Sequence, residues 1–307
     1  VVVYLVRKFG AFIVTLLLLS ITVFIVLNVL PGDPAYVITG IDADPAVYQT
    51  VRDKLNLDYP VLGRYFKWLG AAVRGDLGSS ITLYQGYPIA SLIGSRLRVT
   101  LPLTTIAMGL TLLIALPLSM YTATHHNRIQ DYVGRLFMQL GMILPEFWLG
   151  ILLILLFAVA LHWAPVIGTG IAALILPAIA LSLPRAAVLG RMARAGLLET
   201  LGKDYILTAR AKGLSERHVA YKHALRNTLT PLVTVIGLLI AQLIAGSLIV
   251  ETVFGLQGIG QLAFRAVGAR DLPLIQAITV IIGALIIAVN FAVDLLYGIL
   301  DPRIRYQ

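Results

Sequence analysis

The chain has 307 residues, 59% of them hydrophobic and only 13% charged, with a mean hydropathy of +0.89 and a formal net charge of +9. A soluble domain carries about 25% charged residues, so this balance excludes an ordinary soluble fold and points to an all-α polytopic membrane protein. The absence of cysteine excludes a disulfide framework and a cysteine metal site. The positive charge lies mostly beside apolar runs, where it sets topology rather than marking a nucleic-acid binder.

A membrane span needs about 20 mostly apolar residues. The first run, Phe9 to Leu30, follows Arg7-Lys8 and has 22 residues. It exceeds the apolar core of a cleaved signal peptide, about 7–15 residues, and is expected to be retained as a span. Five more spans are expected at about 99–123, 136–161, 171–190, 232–250 and 274–298.

A long external segment, 31–98, follows the first span. Asp44-Pro45 signals a helix start, because an acid caps the first free amides and proline fits the first helical position. Val47, Val51 and Leu55 then recur at helical spacing, so a short amphipathic helix follows. A second begins near Pro60, with Leu62, Tyr65, Phe66 and Leu69 on one side. Gly75-Asp76-Leu77-Gly78 breaks it. Pro88 to Arg98 is expected to form an interfacial helix leading into the second span. The segment serves either as a packing cap or as a platform for an external partner.

After the second span, His125-His126 is expected to be a solvated loop pair rather than a metal site. The third span contains Pro145 and Glu146. A charge at bilayer depth costs at least about 2.5 kcal/mol, so Glu146 is either hydrogen-bonded at the proline break or lines a solute path. A path carboxylate would favour a cationic or amine-bearing solute. Pro145, Glu146 and Gln242, in the fifth span, are the candidate path residues. The fourth span holds Pro177, Pro184 and Arg185; neighbours can re-satisfy the carbonyls freed by proline, and Arg185 is expected to snorkel toward a headgroup. Asp294, in the last span, is expected to join Asp301, Arg303 and Arg305 in a helix-end polar network.

Between the fourth and fifth spans, Arg191 to Pro231 makes 41 residues with eight Lys/Arg and three Asp/Glu. That is too long and too patterned for a simple connector. Leu197, Leu198, Leu201, Tyr205 and Ile206 give helical spacing from Arg191 to Ala211. Gly213 suits the residue just beyond a helix end. Ser215 can cap a second helix over about 216–229, and Pro231 opens the fifth span. A short helix held across the membrane face by two rigid arms would be a good lever for a docked partner. The other reading is a basic amphipathic helix on anionic lipid. Fourteen Lys/Arg, including these eight, fall on this side of the membrane and nine on the other, so both termini are expected to be cytoplasmic.

Several chemistries are missing. No segment fits the phosphate-binding loop G-x-x-x-x-G-K-[ST]; the nearest, Gly196 to Gly202-Lys203, has one residue too many and Asp204 where a hydroxyl must bind magnesium. No H-E-x-x-H or G-x-S-x-G occurs, which counts against a hydrolase. Gly255-Leu256-Gln257-Gly258-Ile259-Gly260 does not follow a strand and is read as a turn after the fifth span. The spans offer little beyond Glu146, Asn290, Gln139 and Gln242 for a proton or ion relay.

The run Asp204 to Leu214, continuing through Ser215-Glu216-Arg217-His218 and Lys222-His223-Ala224-Leu225-Arg226-Asn227, resembles the cytoplasmic coupling loop of binding-protein-dependent ABC importer permeases. That family's general pattern is Glu-Ala-Ala, three residues, Gly, nine residues, then Ile-x-Leu-Pro. Aligned on Gly213, only Ala209, Gly213 and Leu225 match. The departure is itself similar to the dipeptide, oligopeptide and nickel subfamily, where Thr-Ala-Arg-Ala-Lys-Gly-Leu is usual. Leu30-Pro31-Gly32-Asp33-Pro34-Ala35, Gly75-Asp76-Leu77-Gly78-Ser79, Phe254 to Gly260, Asp294-Leu295-Leu296-Tyr297 and Leu300-Asp301-Pro302-Arg303 also resemble that subfamily in the right order. The likeness covers nearly the whole chain and is to the first of two paralogous permeases.

The resemblance implies a non-catalytic subunit in a bacterial or archaeal cytoplasmic membrane. It implies residues 1–98 as first span and external segment, and 99–307 as a five-helix permease core. It implies a heterodimer with a paralogous permease, two cytoplasmic ATPases that bind the ATP and Mg, and an extracytoplasmic solute-binding protein. This chain is expected to bind no cofactor and no nucleic acid, with membrane lipid as its surroundings. The residues implied to receive the ATPase are Ala209, Arg210, Ala211, Lys212, Gly213, Leu214, Ser215, Glu216, Arg217, Val219, Lys222, His223, Leu225 and Arg226. The solute would be a dipeptide, oligopeptide, glutathione, nickel complex or metallophore. Two other readings stay open: an ion-coupled secondary transporter and a lipid-binding membrane scaffold.

Overall fold

A computed structural model describes residues 2–29, 33–40, 43–163 and 170–300. Among them there is no strand, only an isolated antiparallel bridge between Ser79 and Pro88. Helix is what a bilayer demands, because every backbone N–H and C=O must find a partner within its own segment. The helices are α1 (Val2–Val29), α2 (Pro34–Thr39), α3 (Pro45–Lys54), α4 (Val61–Val73), α5 (Ile89–Thr124), α6 (Ile129–Ile143) and α7 (Glu146–Leu153). Then come α8 (Ala172–Leu201), α9 (Asp204–Ala211), α10 (Glu216–His218), α11 (Arg226–Val253), α12 (Ile259–Gly268) and α13 (Leu272–Leu300). Two π-helical stretches, Ile154–Ala160 and Val219–Leu225, prolong α7 and join α10 to α11.

Five helices are long and apolar enough to cross a membrane, and six spans result when the bent pair α6 and α7 counts as one. The expected third span is therefore not a straight helix. It breaks by 102° at Leu144-Pro145, where Leu144 is extended (φ −75, ψ 121), as the residue before a proline prefers. The expected interfacial helix at Pro88–Arg98 is not separate either, since α5 runs unbroken from Ile89. The end of the first span at Leu30, the motif residues Pro31 and Gly32, and the network of Asp301, Arg303 and Arg305 lie outside the described residues.

The chain forms two compact units. In the first, built chiefly from residues 101–255, α8 packs on both α6 and α11. Ala115, Ala186, Leu189, Ala193, Leu232 and Leu239 make its core. Small residues let these helices approach closely: a Cβ on Gly196 would stand 2.9 Å from the Thr228 methyl, and one on Gly237 2.8 Å from Val293.

The second unit comprises residues 6–100 and 256–288. Here α4 lies on α1 through a Ser20–Tyr65 hydroxyl contact of 2.9 Å and an edge-on Phe24–Tyr65 ring pair at 5.4 Å. The expected cap forms, with the Asp44 side chain accepting from the Ala46 amide at 2.8 Å. Asp33-Pro34 repeats that device to start α2, which the sequence reading did not place. Asp33 also accepts from Tyr48 OH at 2.6 Å and Arg52 Nη1 at 3.0 Å. Burial pushes the Asp33 carboxyl up, but these donors, with the Ala35 amide, outweigh it and hold the carboxyl below its ordinary value. Gly75 and Gly78 adopt positive φ (85 and 80) and end the α4 region as expected.

The amphipathic α12 was also unplaced. It buries Ile259, Leu262 and Ala266 against Ile89, Leu92, Leu274 and Ile278. Asp271, fully buried, ties the loop after Gly78 to the start of α13. Its Oδ2 accepts from Ser80 Oγ at 2.5 Å and from the amides of Ile81, Thr82 and Leu83, each at 3.1 Å.

Candidate functional site

The basic segment is built around one turn. The helical pattern does not run through from Arg191 to Ala211; α8 ends at Leu201 and α9 restarts at Asp204. At the far end of α9, Gly213 takes φ +79, a conformation costly for a residue with a Cβ. The Gly213 amide donates to Arg210 O at 2.9 Å and the Leu214 amide to Ala209 O at 3.4 Å. This is the paired closure that satisfies a helix's last carbonyls. Ser215 then caps α10 by accepting from the His218 amide at 3.4 Å. Arg210 straddles the turn, donating to both carboxylate oxygens of Glu216 at 2.8 and 3.1 Å.

The second helix differs from expectation. It does not stop before the fifth span, whose membrane-crossing part, Pro231–Val253, does open at Pro231. Helix continues from Glu216 through the π-helical stretch to Val253, with Pro231 inside α11. Ile206, Ala209, Val219, Ala220 and Ala224 bury themselves against Met120, Ala123 and Leu197 of α5 and α8. Asn227 Nδ2 donates to Tyr205 OH at 2.9 Å, pinning α9 to α11. Of the residues singled out from the sequence, Ala211, Lys212, Gly213, Leu214, Ser215, Glu216, Arg217, Lys222 and Arg226 are exposed. Arg210, His223 and Leu225 are partly so, whereas Ala209 and Val219 are buried and anchor the turn from inside.

The second site lies where the third span breaks. Glu146 is the first residue of α7 and forms an ion pair with Arg185 of α8. Both side chains are nearly buried, at 15% and 13% exposure. Arg185 Nη2 also donates to Gln242 O of α11 at 3.1 Å. One turn along α11, a Cβ on Gly246 would come within 2.6 Å of both Arg185 Nη2 and Glu146 Oε1. Arg185 therefore does not snorkel to a headgroup; it turns inward to a carboxylate. Glu146 and Gln242 are indeed brought together, through Arg185 and by way of the Gln242 backbone. The paired Glu146 no longer argues for a cationic solute.

Besides Asp271, two more buried acids were not singled out from the sequence. Asp131, fully buried in the first turn of α6, accepts from Arg194 Nε at 2.8 Å and Nη2 at 2.7 Å. His126 is exposed on its loop, as expected, and its Nδ1 stands 3.5 Å from the same carboxylate and 3.2 Å from Arg194 Nη2. Glu251, near the end of α11, is also fully buried. Among the described residues no group of three His, Cys, Asp or Glu could hold a metal.

Five helices long and apolar enough to cross a membrane, or six spans with the bent pair α6 and α7 as one, define a multi-pass membrane protein. The chain belongs to the binding-protein-dependent transport system inner membrane component family: that model matches residues 115–306, and the model of the family's N-terminal part matches 1–88. It is a permease subunit of such a system, in the inner membrane. It is 39% identical over 305 residues to the glutathione transport system permease protein GsiC of Escherichia coli O6:H1, covering 99% of both chains. It is 38% identical over 301 residues, 95% of both chains, to a Brucella abortus protein provisionally named a peptide transport system permease. Among solved structures, an inward-facing MetNI methionine ABC transporter matches 69% of this chain and 97% of its own, with TM-score 0.57 and 20% identity. An amino acid ABC transporter matches 69% and 94%, with TM-score 0.51 and 19% identity. These structural likenesses speak for the fold.

Proposed function

We propose that this permease subunit carries a peptide or glutathione-class solute inward in an ABC importer, driven by ATPases docked on the turn at Gly213. The observation that carries the proposal is the helix closure at Gly213 and Leu214, clipped by Arg210–Glu216 and anchored by Ala209 and Val219. It presents Lys212, Leu214, Arg217, Lys222 and Arg226 outward on a buried footing. A rigid footing matters, because driving a two-state pathway from 1:99 to 99:1 takes about 5.5 kcal/mol of differential interaction.

In this reading the partners are a paralogous permease, two cytoplasmic ATPases that hold the ATP and Mg, and an extracytoplasmic binding protein that delivers solute. The chain itself is non-catalytic. Both termini and the turn face the cytoplasm, residues 1–98 supply the first span and external segment, and 99–307 form the permease core. Pro145, Glu146 and Gln242 flank the solute path, with Arg185 neutralising the carboxylate. The same pairing counts against an ion-coupled transporter, since Glu146 is not a free proton carrier.

The test is uptake into vesicles together with copurification of the ATPase. Gly213→Pro and Leu214→Asp are expected to abolish uptake and to release the ATPase while the permease still inserts. Unchanged uptake and copurification in both variants would refute the docking role. Uptake that persists without ATP and collapses with the proton gradient would favour a secondary transporter instead.

A further inference from the structure

A cavity of about 310 Å³ opens within the unit formed by residues 6–100 and 256–288. Its wall joins the end of the first span, α4 and the start of α13, through Phe24, Arg64, Trp68 and Gln276, with Lys54 and Lys67 at its side. The end of one span and the start of another place it at the level of the membrane surface.

Among the described residues, two donors in this wall are buried without an acceptor, Arg64 Nε and Gln276 Nε2. Gln276 is 8% exposed, so its unmade hydrogen bond is expensive unless something supplies an oxygen. Burial pulls the Arg64 guanidinium below its ordinary value, with Asp33 opposing. Lys67 gives one N–H to Asn56 Oδ1 at 2.6 Å and keeps two. Lys54 forms no ion pair among the described residues. Against these three cations the described wall sets Asp76, whose Oδ1 already accepts from the Gly78 amide at 2.9 Å, with Asp33, bound to Tyr48 and Arg52, beside Arg64. Two orphaned donors and an excess of positive charge select an anion rich in acceptor oxygens. The other side of the wall is apolar, with the Phe24 and Trp68 rings 6.5 Å apart. From Phe24, α1 runs back into the membrane with Val14, Leu18 and Ile21 exposed.

We propose that this cavity binds a phosphate-bearing anion, the headgroup of a phospholipid whose acyl chains lie along the exposed apolar side of α1. Arg64 and the Gln276 amide take the phosphate oxygens, Lys54 and Lys67 supply the remaining charge, and Trp68 packs on the glycerol and upper chain. This site is independent of the docking turn and of the solute path.

The experiment uses the full chain in detergent with Trp148→Phe and Trp163→Phe, which leaves Trp68 as the reporter. Short-chain phosphatidylglycerol is expected to change Trp68 emission saturably, and diacylglycerol of the same chain length is not. Arg64→Gln is expected to raise the midpoint about tenfold, the scale of one charge-assisted hydrogen bond. Gln276→Glu, which sets a carboxylate against the phosphate, should do the same and guards against a folding defect in the first variant. Inorganic phosphate that displaces the lipid and produces the same change alone would keep the anion site and overturn the lipid assignment. Diacylglycerol binding as tightly as phosphatidylglycerol, or both variants titrating like the parent, would overturn the proposal.

Discussion

Gly246 leaves room for Arg185. The guanidinium meets Glu146 where α11 offers no side chain, at a point where a Cβ would stand 2.6 Å from Arg185 Nη2. An ion pair between α7 and α8 thus sits against a residue of a third helix that contributes no charge.

Substituting Gly246→Val should therefore act through the pair. Overpacking of a tight site costs about 1–3 kcal/mol, so the melting temperature in detergent should fall and uptake with it. An unchanged melting temperature would mean that α11 does not confine the pair.

The pair itself is testable by a double-mutant cycle. Glu146→Leu or Arg185→Met alone should cost about 3–5 kcal/mol, because each strands a buried partner. The combined Glu146→Leu, Arg185→Met variant should cost clearly less than the sum. Additive losses would show that the two side chains are not coupled.

Asp271→Ala removes an acceptor shared by Ser80 Oγ and three consecutive amides. Bonds to a charged group contribute about 1.5–3 kcal/mol each. Hydrogen exchange of the Ile81, Thr82 and Leu83 amides should accelerate about tenfold or more, with α8 and α9 unaffected. Parent-like protection would place the loop's stability elsewhere.

Acid should loosen the segment 33–58 through Asp33. Its carboxyl is held below the ordinary value of 3.8, so its contribution is present above that value and is lost as pH falls through the lower, folded-state value. Limited proteolysis within 43–58 should be slow at pH 6 and rise only when the pH drops below about 4. Asp33→Asn should be cut readily at both, with little pH dependence. A pH response that survives the substitution would assign the effect to another acid.

What the sequence made legible was local. Apolar runs marked the spans because a bilayer leaves few alternatives, and Asp44-Pro45, Gly213 and Ser215 announced their caps because capping is settled within four residues. The Asp33-Pro34 start of α2 carried the same signal and went unread beside the breakers that precede it. So did the Ile259, Leu262 and Ala266 spacing of α12. The pairings were another matter. Glu146 finds Arg185 39 residues away, Asp131 finds Arg194 at a separation of 63, and Asp271 finds Ser80 at 191. No periodicity encodes such partners, so Arg185 read as a charge seeking water. The bend at Pro145 was legible as a break, but its size depends on how α7 packs against α8 and α11.

The helical path from Glu216 to Val253 has a mechanical consequence. Along about 55 Å it contains no loop, and its bending points are the π-helical stretch Val219–Leu225 and Pro231. Gly246 and Arg217 belong to one piece of backbone. Whatever grips the basic end of that piece also holds the glycine that seats Arg185, without an intermediary. A displacement of the turn is then expected to reach the ion pair through backbone alone.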